Sequence, residues 1–359
     1  MIHKTLPFLA VVFLLANCAS PPRVVTKKYL NDRIKKPYDQ TDTIAVYFAT
    51  NRRRSGGKAE CSDTYYSTKI SEKITYARCD VNVPAKHAIG QVDYKQSGNP
   101  GSYFKFVEDI TPKSESKLLS KIEKSKSSEI ILFVHGFNVK FEEAVLRAAQ
   151  IKYDLKFPGE IVLFTWPAGS SGGFFGQFRL NTTYRENQKN AQQTIPVMQD
   201  FIKKLSSTGK RVHVIVHSMG HQIVLPAISN LGKKKKKYIN QLILNAPDFP
   251  AKEFTKIAGN LEEASEQVTV YCSPGDKALV ASKTVNKNKR IGSCQKAGKK
   301  VVMINVNQVD DAIIALNHGY YSSRPILTDL YQVILGVEPK KRLFIRKSNE
   351  SSEDYILRK

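Results

Sequence analysis

The 359-residue chain lacks an apolar run long enough to cross a bilayer: its one sustained stretch extends from about Leu6 to Leu15, short of the ~20 residues a membrane helix needs. Acidic residues are scarce, with 32 Asp and Glu against 56 Lys and Arg, for a formal charge of +24. The basic residues are spread along the chain and belong to no readable groove-binding motif, which excludes a dedicated nucleic-acid binder. Only five cysteines are present, none in C-x-x-C spacing, and the seven histidines are scattered, so no metal site is expected. Gly169, Gly172, Gly173 and Gly176 are not followed by the Lys-Ser/Thr of a phosphate cradle, and no cofactor is called for. No internal repeat is apparent. Whatever chemistry the chain performs must therefore be carried by its side chains.

At the N-terminus, Lys4, the short apolar run and Leu15-Ala16-Asn17-Cys18 read as a bacterial lipoprotein signal, with residues 1–17 removed and Cys18 acylated. More than one acyl chain gives a durable anchor. Ala19 stands where an Asp would favour the inner membrane, so the expected address is the outer membrane facing the periplasm. Residues 18–42 are polar, rich in Lys and Pro, and read as a tether. The remaining Cys61, Cys79, Cys272 and Cys294 allow three pairings in an oxidising compartment. The economical choice pairs Cys61 with Cys79 and Cys272 with Cys294; the alternative is four buried thiols.

Strand candidates at 43–50, 74–83 and 103–108 make a β-rich opening, 43–112. From Ile130 onward short apolar strands alternate with helical stretches, as in a mainly parallel sheet covered by helices on both faces. The expected domain is 43–337, followed by a charged, mobile tail at 338–359.

The segment Val214-Ile215-Val216-His217-Ser218-Met219-Gly220 runs from an apolar strand into a serine flanked for a tight turn, the pattern of a nucleophile elbow. A second strand, Ile130 to Val134, ends in His135-Gly136-Phe137-Asn138. Acyl transfer needs two backbone N–H groups aimed at a developing oxyanion, and here Met219 and Phe137 would supply them. A serine also needs an imidazole base, and a carboxylate to orient that base. His318 lies on a loop between a strand candidate at 300–306 and a helix candidate at 326–335. His221, three residues past the serine on the same helix, would point elsewhere. Asp276 ends the strand before the one leading to His318 and is the preferred acid. Asp248, after the strand 241–245, is the alternative acid or a helix cap, and Asp310 and Asp311 read as helix-start residues.

With these landmarks the chain resembles the bacterial α/β-hydrolase family known only as a domain of unknown function. The likeness spans about 43–336 and rests on Phe48 to Arg52, Arg78 to Val81 with Pro84, His87 and Gly90, His135 to Asn138, Trp166-Pro167, His217 to Gly220, Ala246 to Asp248, Asp276 to Leu279 and His318 to Tyr320. It implies the α/β-hydrolase fold and Ser218, Asp276 and His318 as a triad. Val216 departs from the small residue expected two before the serine, so the turn's packing is expected to be looser or shifted. Asn187 stands where an acid is expected.

Esterase or lipase-like chemistry on an acyl ester is the expected activity, with amide and thioester substrates open. The loop after Trp166, with Phe174, Phe175 and Phe178, would line an acyl pocket, form a lid or simply pack down. A non-catalytic envelope scaffold is the competing reading of the same fold. Lys233 to Lys237 read either as a solvated helix end or as a patch attracted to anionic lipid.

Overall fold

The computed structural model describes residues 41–107, 110–170, 180–309, 318–320 and 323–358. The signal segment, Cys18 and the tether to residue 40 lie outside them, as do 171–179 with the three phenylalanines, and Asp310 and Asp311.

Apolar, β-branched runs form the parallel core of the sheet: β5 (Glu129–Val134), β6 (Glu160–Thr165), β7 (Arg211–His217), β8 (Ile239–Asn245), β9 (Ser265–Cys272) and β10 (Val301–Asn305). Each is apolar on both faces because both faces are covered. In β5, Ile130, Leu132 and Val134 enter one core layer, while Ile131 and Phe133 enter the other. Helices α1 (Glu115–Glu123), α3 (Leu180–Ser206), α4 (His221–Gly232) and α5 (Ala251–Ala264) cover the first layer. Helices α2 (Phe141–Asp154) and α7 (Arg324–Ile334) cover the second. A shorter helix, α6 (Lys277–Asn286), follows β9.

The N-terminal strands β1 (Asp42–Arg54) and β2 (Tyr66–Val83) form an antiparallel pair. β1 also pairs in parallel with β6, and β3 (Lys105–Phe106) and β4 (Thr111–Lys113) both pair with β2. Tyr66 stacks on Phe141, and Phe48 packs edge-on against both, where this hairpin meets α2. A disulfide joins Cys61 to Cys79 across the hairpin, and a second joins Cys272 to Cys294, the local pairing expected.

The segment after 338 is not a mobile tail. β11 (Ile345–Lys347) and β12 (Tyr355–Leu357) complete the sheet, whose order is β11-β12-β10-β9-β8-β7-β5-β6-β1-β2-β3. Ile345 and Leu357 are buried, and the buried pair Arg342–Asp329, at 3.0 Å, ties the segment to α7. These strands are three residues long, too short for an apolar period to stand out among the surrounding charges.

The functional consequence is polarity. The six central strands run parallel with β1, so their C-terminal ends share one edge, and the loops leaving that edge carry Gly136, Ser218, Asp248, Asp276 and His318.

Candidate active site

Strand β7 delivers Ser218 directly into a 3-10 turn, Ser218–Gly220, that opens α4. Its φ of 49° is left-handed, a conformation that costs a residue with a Cβ roughly 1–2 kcal/mol. Two glycines make the turn sterically possible. A Cβ on Gly220 would meet the His135 carbonyl oxygen at 2.6 Å, and one on Gly136 would meet Ser218 Cβ at 2.7 Å and His217 Nδ1 at 3.0 Å. Val216 does not abolish the turn. It is buried in β7 between Val134 and Leu244, and the close approach to the serine is made from the neighbouring strand end, at Gly136.

Asp276 is fully buried and accepts two hydrogen bonds. Oδ1 caps α6 through the Leu279 N–H (3.0 Å), and Oδ2 lies 2.6 Å from His318 Nδ1. Its loop is held by the Cys272–Cys294 bridge, by the Ser273 N–H donating to Gly292 O (2.9 Å), and by Asn307 Oδ1, which accepts from Ser273 Oγ and Gly275 N. His318 is fixed a second time through its backbone: His217 Nε2 donates to the His318 carbonyl at 3.0 Å, and the two rings lie 4.8 Å apart. The residue before the nucleophile thus holds the residue that would activate it. Asp276 takes Nδ1, so any proton exchange by His318 would run through Nε2.

The other histidines here are neutral. Burial, with the neighbouring His318, pushes His217 well below the usual imidazole range. Burial pushes His221 down to about 3, and its Nδ1 donates to the Ser218 carbonyl at 2.6 Å. His221 is therefore an anchor of the turn, as its position on the helix suggested.

Met219 is the second residue of the 3-10 turn, where a backbone N–H has no intrahelical acceptor. Phe137 occupies the facing turn between β5 and α2. That turn is braced from below. His135 stacks on Trp166 at 5.5 Å, accepts from the Trp166 backbone N–H at 3.2 Å, and receives the indole N–H on its carbonyl at 2.9 Å. Trp166 is thus a core residue. Asn187, in place of the expected acid, accepts from the backbone N–H groups of Asn138 (3.3 Å) and Gly169 (3.0 Å) and donates to Gly169 O (3.1 Å). A carboxylate could not make the last bond.

Arg52 is a residue the sequence reading named only as a landmark. Buried without a carboxylate partner among the described residues, it donates to Thr165 Oγ1 (2.9 Å), Ala168 O (2.9 Å) and Val139 O (2.8 Å), clamping the loops after β5 and β6. Burial lowers its pKa to about 9, still charged at neutral pH. Its one signal in the sequence is that it is the first of three arginines following the apolar run of β1.

The alternative acid, Asp248, is not on His318. Its Oδ1 pairs with Arg290 Nε at 2.9 Å and accepts from Ser282 Oγ at 2.5 Å, and its Oδ2 accepts from Tyr184 OH at 2.8 Å. This network locks α6 against α3 behind the serine turn. Among the described residues no three His, Cys, Asp or Glu converge as metal ligands.

A model of the α/β hydrolases of unknown function (DUF900) matches residues 111–337, so β1 to β3 and their landmarks fall outside the match. No curated protein matches the sequence. Among solved structures, the chain is similar to an esterase of Pyrobaculum calidifontis, with 9% identity over 89% of this chain and 94% of that one and a TM-score of 0.35. It is also similar to EstE1, a thermostable carboxylesterase from a metagenomic library, with 11% identity over 89% and 99% of the two chains and a TM-score of 0.35.

Proposed function

The chain belongs to the α/β-hydrolase family of unknown function, and from that premise we propose that it is a serine hydrolase, esterase- or lipase-like, acting on acyl esters. The observation that carries this reading is the 2.6 Å contact between His318 Nδ1 and buried Asp276, with the His318 carbonyl bonded by His217, the residue before a left-handed Ser218. Ser218 Oγ attacks the ester carbonyl and passes its proton to His318 Nε2. Asp276 keeps Nδ1 protonated and stabilises the imidazolium as it forms. The Met219 and Phe137 amides receive the oxyanion, a contribution of about 100- to 1000-fold per donor. Collapse of the tetrahedral intermediate expels the alcohol, which takes the proton from His318. A water activated by the same imidazole then releases the acid from Ser218.

We further propose that the enzyme is a lipoprotein anchored through Cys18 to the outer membrane and facing the periplasm. Mass spectrometry of the N-terminal peptide from membrane-extracted protein tests this, with acylation lost in Cys18→Ser.

The hydrolase reading is tested by a fluorophosphonate probe on wild type, Ser218→Ala and His318→Ala. Labelling of wild type alone supports it. A folded wild type that stays unlabelled overturns it.

A further inference from the structure

We propose that the edge of the sheet opposite the candidate active site is the face this protein lays on an anionic membrane surface, so that the Ser218 end of the sheet faces the aqueous space. The inference rests on the lipid anchor and the hydrolase reading and adds an orientation, and through it the kind of substrate.

Topology fixes two ends of the molecule. Because β1, β6, β5, β7, β8, β9 and β10 run parallel, every loop that enters one of them lies on one edge and every loop that leaves lies on the other. Ser218, Asp276 and His318 follow strand C-terminal ends. The chain enters the fold at Asp42, the N-terminal end of β1. The tether from Cys18 therefore arrives at the end remote from the serine, a separation of roughly 20 Å for a seven-residue strand such as β7 at about 3.3 Å per residue.

The same edge carries the densest run of charge in the chain. Lys233 to Lys237 precede β8 and are all exposed. β8 stands four strands from β1, about 19 Å at the ~4.8 Å spacing of paired strands. Exposed Lys124 and Lys126 precede β5, and exposed Lys299 and Lys300 precede β10. Lys237 Nζ rests on the carbonyls of Glu262 and Ser265, and Lys210 Nζ on that of Ser125. Those ammonium groups meet neutral oxygens; Glu262, whose Oε1 accepts from the Lys300 backbone N–H, and exposed Glu263 and Glu266 stand on the same edge and are outnumbered there by the lysines.

A basic residue beside an anionic bilayer contributes about a fivefold factor in partitioning. One lysine run is therefore enough to orient a domain that the acyl chains already hold at the surface. With this face down, the site cannot reach the lipids of its own anchoring leaflet. Its acyl ester is then water-borne or displayed on a facing layer.

The full acylated chain, placed on preformed vesicles of phosphatidylglycerol and phosphatidylethanolamine, is treated with a water-soluble lysine-acetylating reagent and read by mass spectrometry. Lys233 to Lys237, Lys299 and Lys300 should be protected. Lys283, Lys287 and Lys289, near the C-terminal ends of β8 and β9 through the Ala251 N to Lys289 O bond, should stay reactive. Protection should vanish at high salt. In flotation of the unacylated Cys18→Ser chain, K233Q/K234Q/K235Q/K236Q should weaken binding by roughly 500-fold, about fivefold for each lysine removed, against less than about threefold for K283Q/K287Q/K289Q.

Equal protection at both ends, protection of the Lys283 end, or equal loss in the two variants overturns the proposal. Matching protection by free double-stranded DNA also overturns it, by making the patch a general polyanion binder. Ser218 labelling by a soluble fluorophosphonate in the same vesicles should proceed at the rate seen in detergent. Slowing on vesicles alone defeats the orientation, whereas no labelling in either medium defeats only the hydrolase reading.

Discussion

Gly136→Ala tests whether the serine turn is held by a steric fit across two strand ends. The added methyl would lie 2.7 Å from Ser218 Cβ, 3.0 Å from His217 Nδ1 and 3.2 Å from His217 O. Ordinary carbon contacts fall at about 3.5–4.0 Å, so the two turns must part by about 1 Å. The His217 contacts block sideways escape, because that ring is itself bonded to His318. The nucleophile therefore moves relative to its base. A displacement of this size costs about 100-fold in a reaction that depends on alignment, and the overpacking costs about 1–3 kcal/mol of stability. The assay is the second-order rate of fluorophosphonate labelling, with urea unfolding on the same preparations and Ser218→Ala as the zero. A Gly136→Ala protein that labels at the wild-type rate would falsify the argument that this glycine sets the serine's position.

The two aspartates should separate cleanly. Asp276→Asn keeps the α6 cap, since Asn caps as well as Asp, but loses the tautomer control of His318, so labelling should fall by about 10⁴-fold with little change in unfolding midpoint. Asp248→Asn should instead cost about 3–5 kcal/mol in urea unfolding by stranding buried Arg290; the opposite pattern would exchange their roles. His217→Gln, which retains an Nε-type donor for the His318 carbonyl, should label faster than His217→Leu by about 2- to 10-fold, the worth of one charge-free hydrogen bond in the site. Equal rates for the pair would remove His217 as a positioning residue. Acid should destabilise the fold early. His135, His217 and His221 are held neutral by burial, so below the unfolded imidazole value of about 6.5 the unfolded chain binds more protons, and stability falls as pH drops. For His221 the loss continues to about 3. The three together give a slope approaching 4 kcal/mol per pH unit, about 1.36 for each. Urea midpoints between pH 7.5 and 5 should show it, and His221→Asn should remove about a third; a flat profile would mean that these rings take up protons as readily in the folded state as in the unfolded one.

The parts of the site that the sequence made legible are those in which chain order and burial coincide. Ser218 follows directly on a strand that had to be apolar on both faces, and Asp276 lies in the turn after another, so both could be read as site candidates from a strand end; His318 lies well beyond β10 and was legible only as the one histidine after His221. The half-buried hairpin β1–β2 was harder: its β2 arm begins at Tyr66, well before the apolar stretch at 74–83, because the early part is polar and half exposed. Arg52 illustrates a different obstacle. Its charge is offset by carbonyls of Ala168 and Val139, and a backbone oxygen has no letter in a sequence. The same limit governs the choice of acid. Asp248 and Asp276 both follow strands, in turns containing proline, and nothing within either turn distinguishes them. What distinguishes them is the partner each meets: Arg290 returns to Asp248 through the bridge between Pro250 and Arg290, while Asp276 meets the His318 imidazole. An acid already committed to a guanidinium cannot also orient a base, so tracing the buried arginine is what singles out Asp276 as the candidate acid.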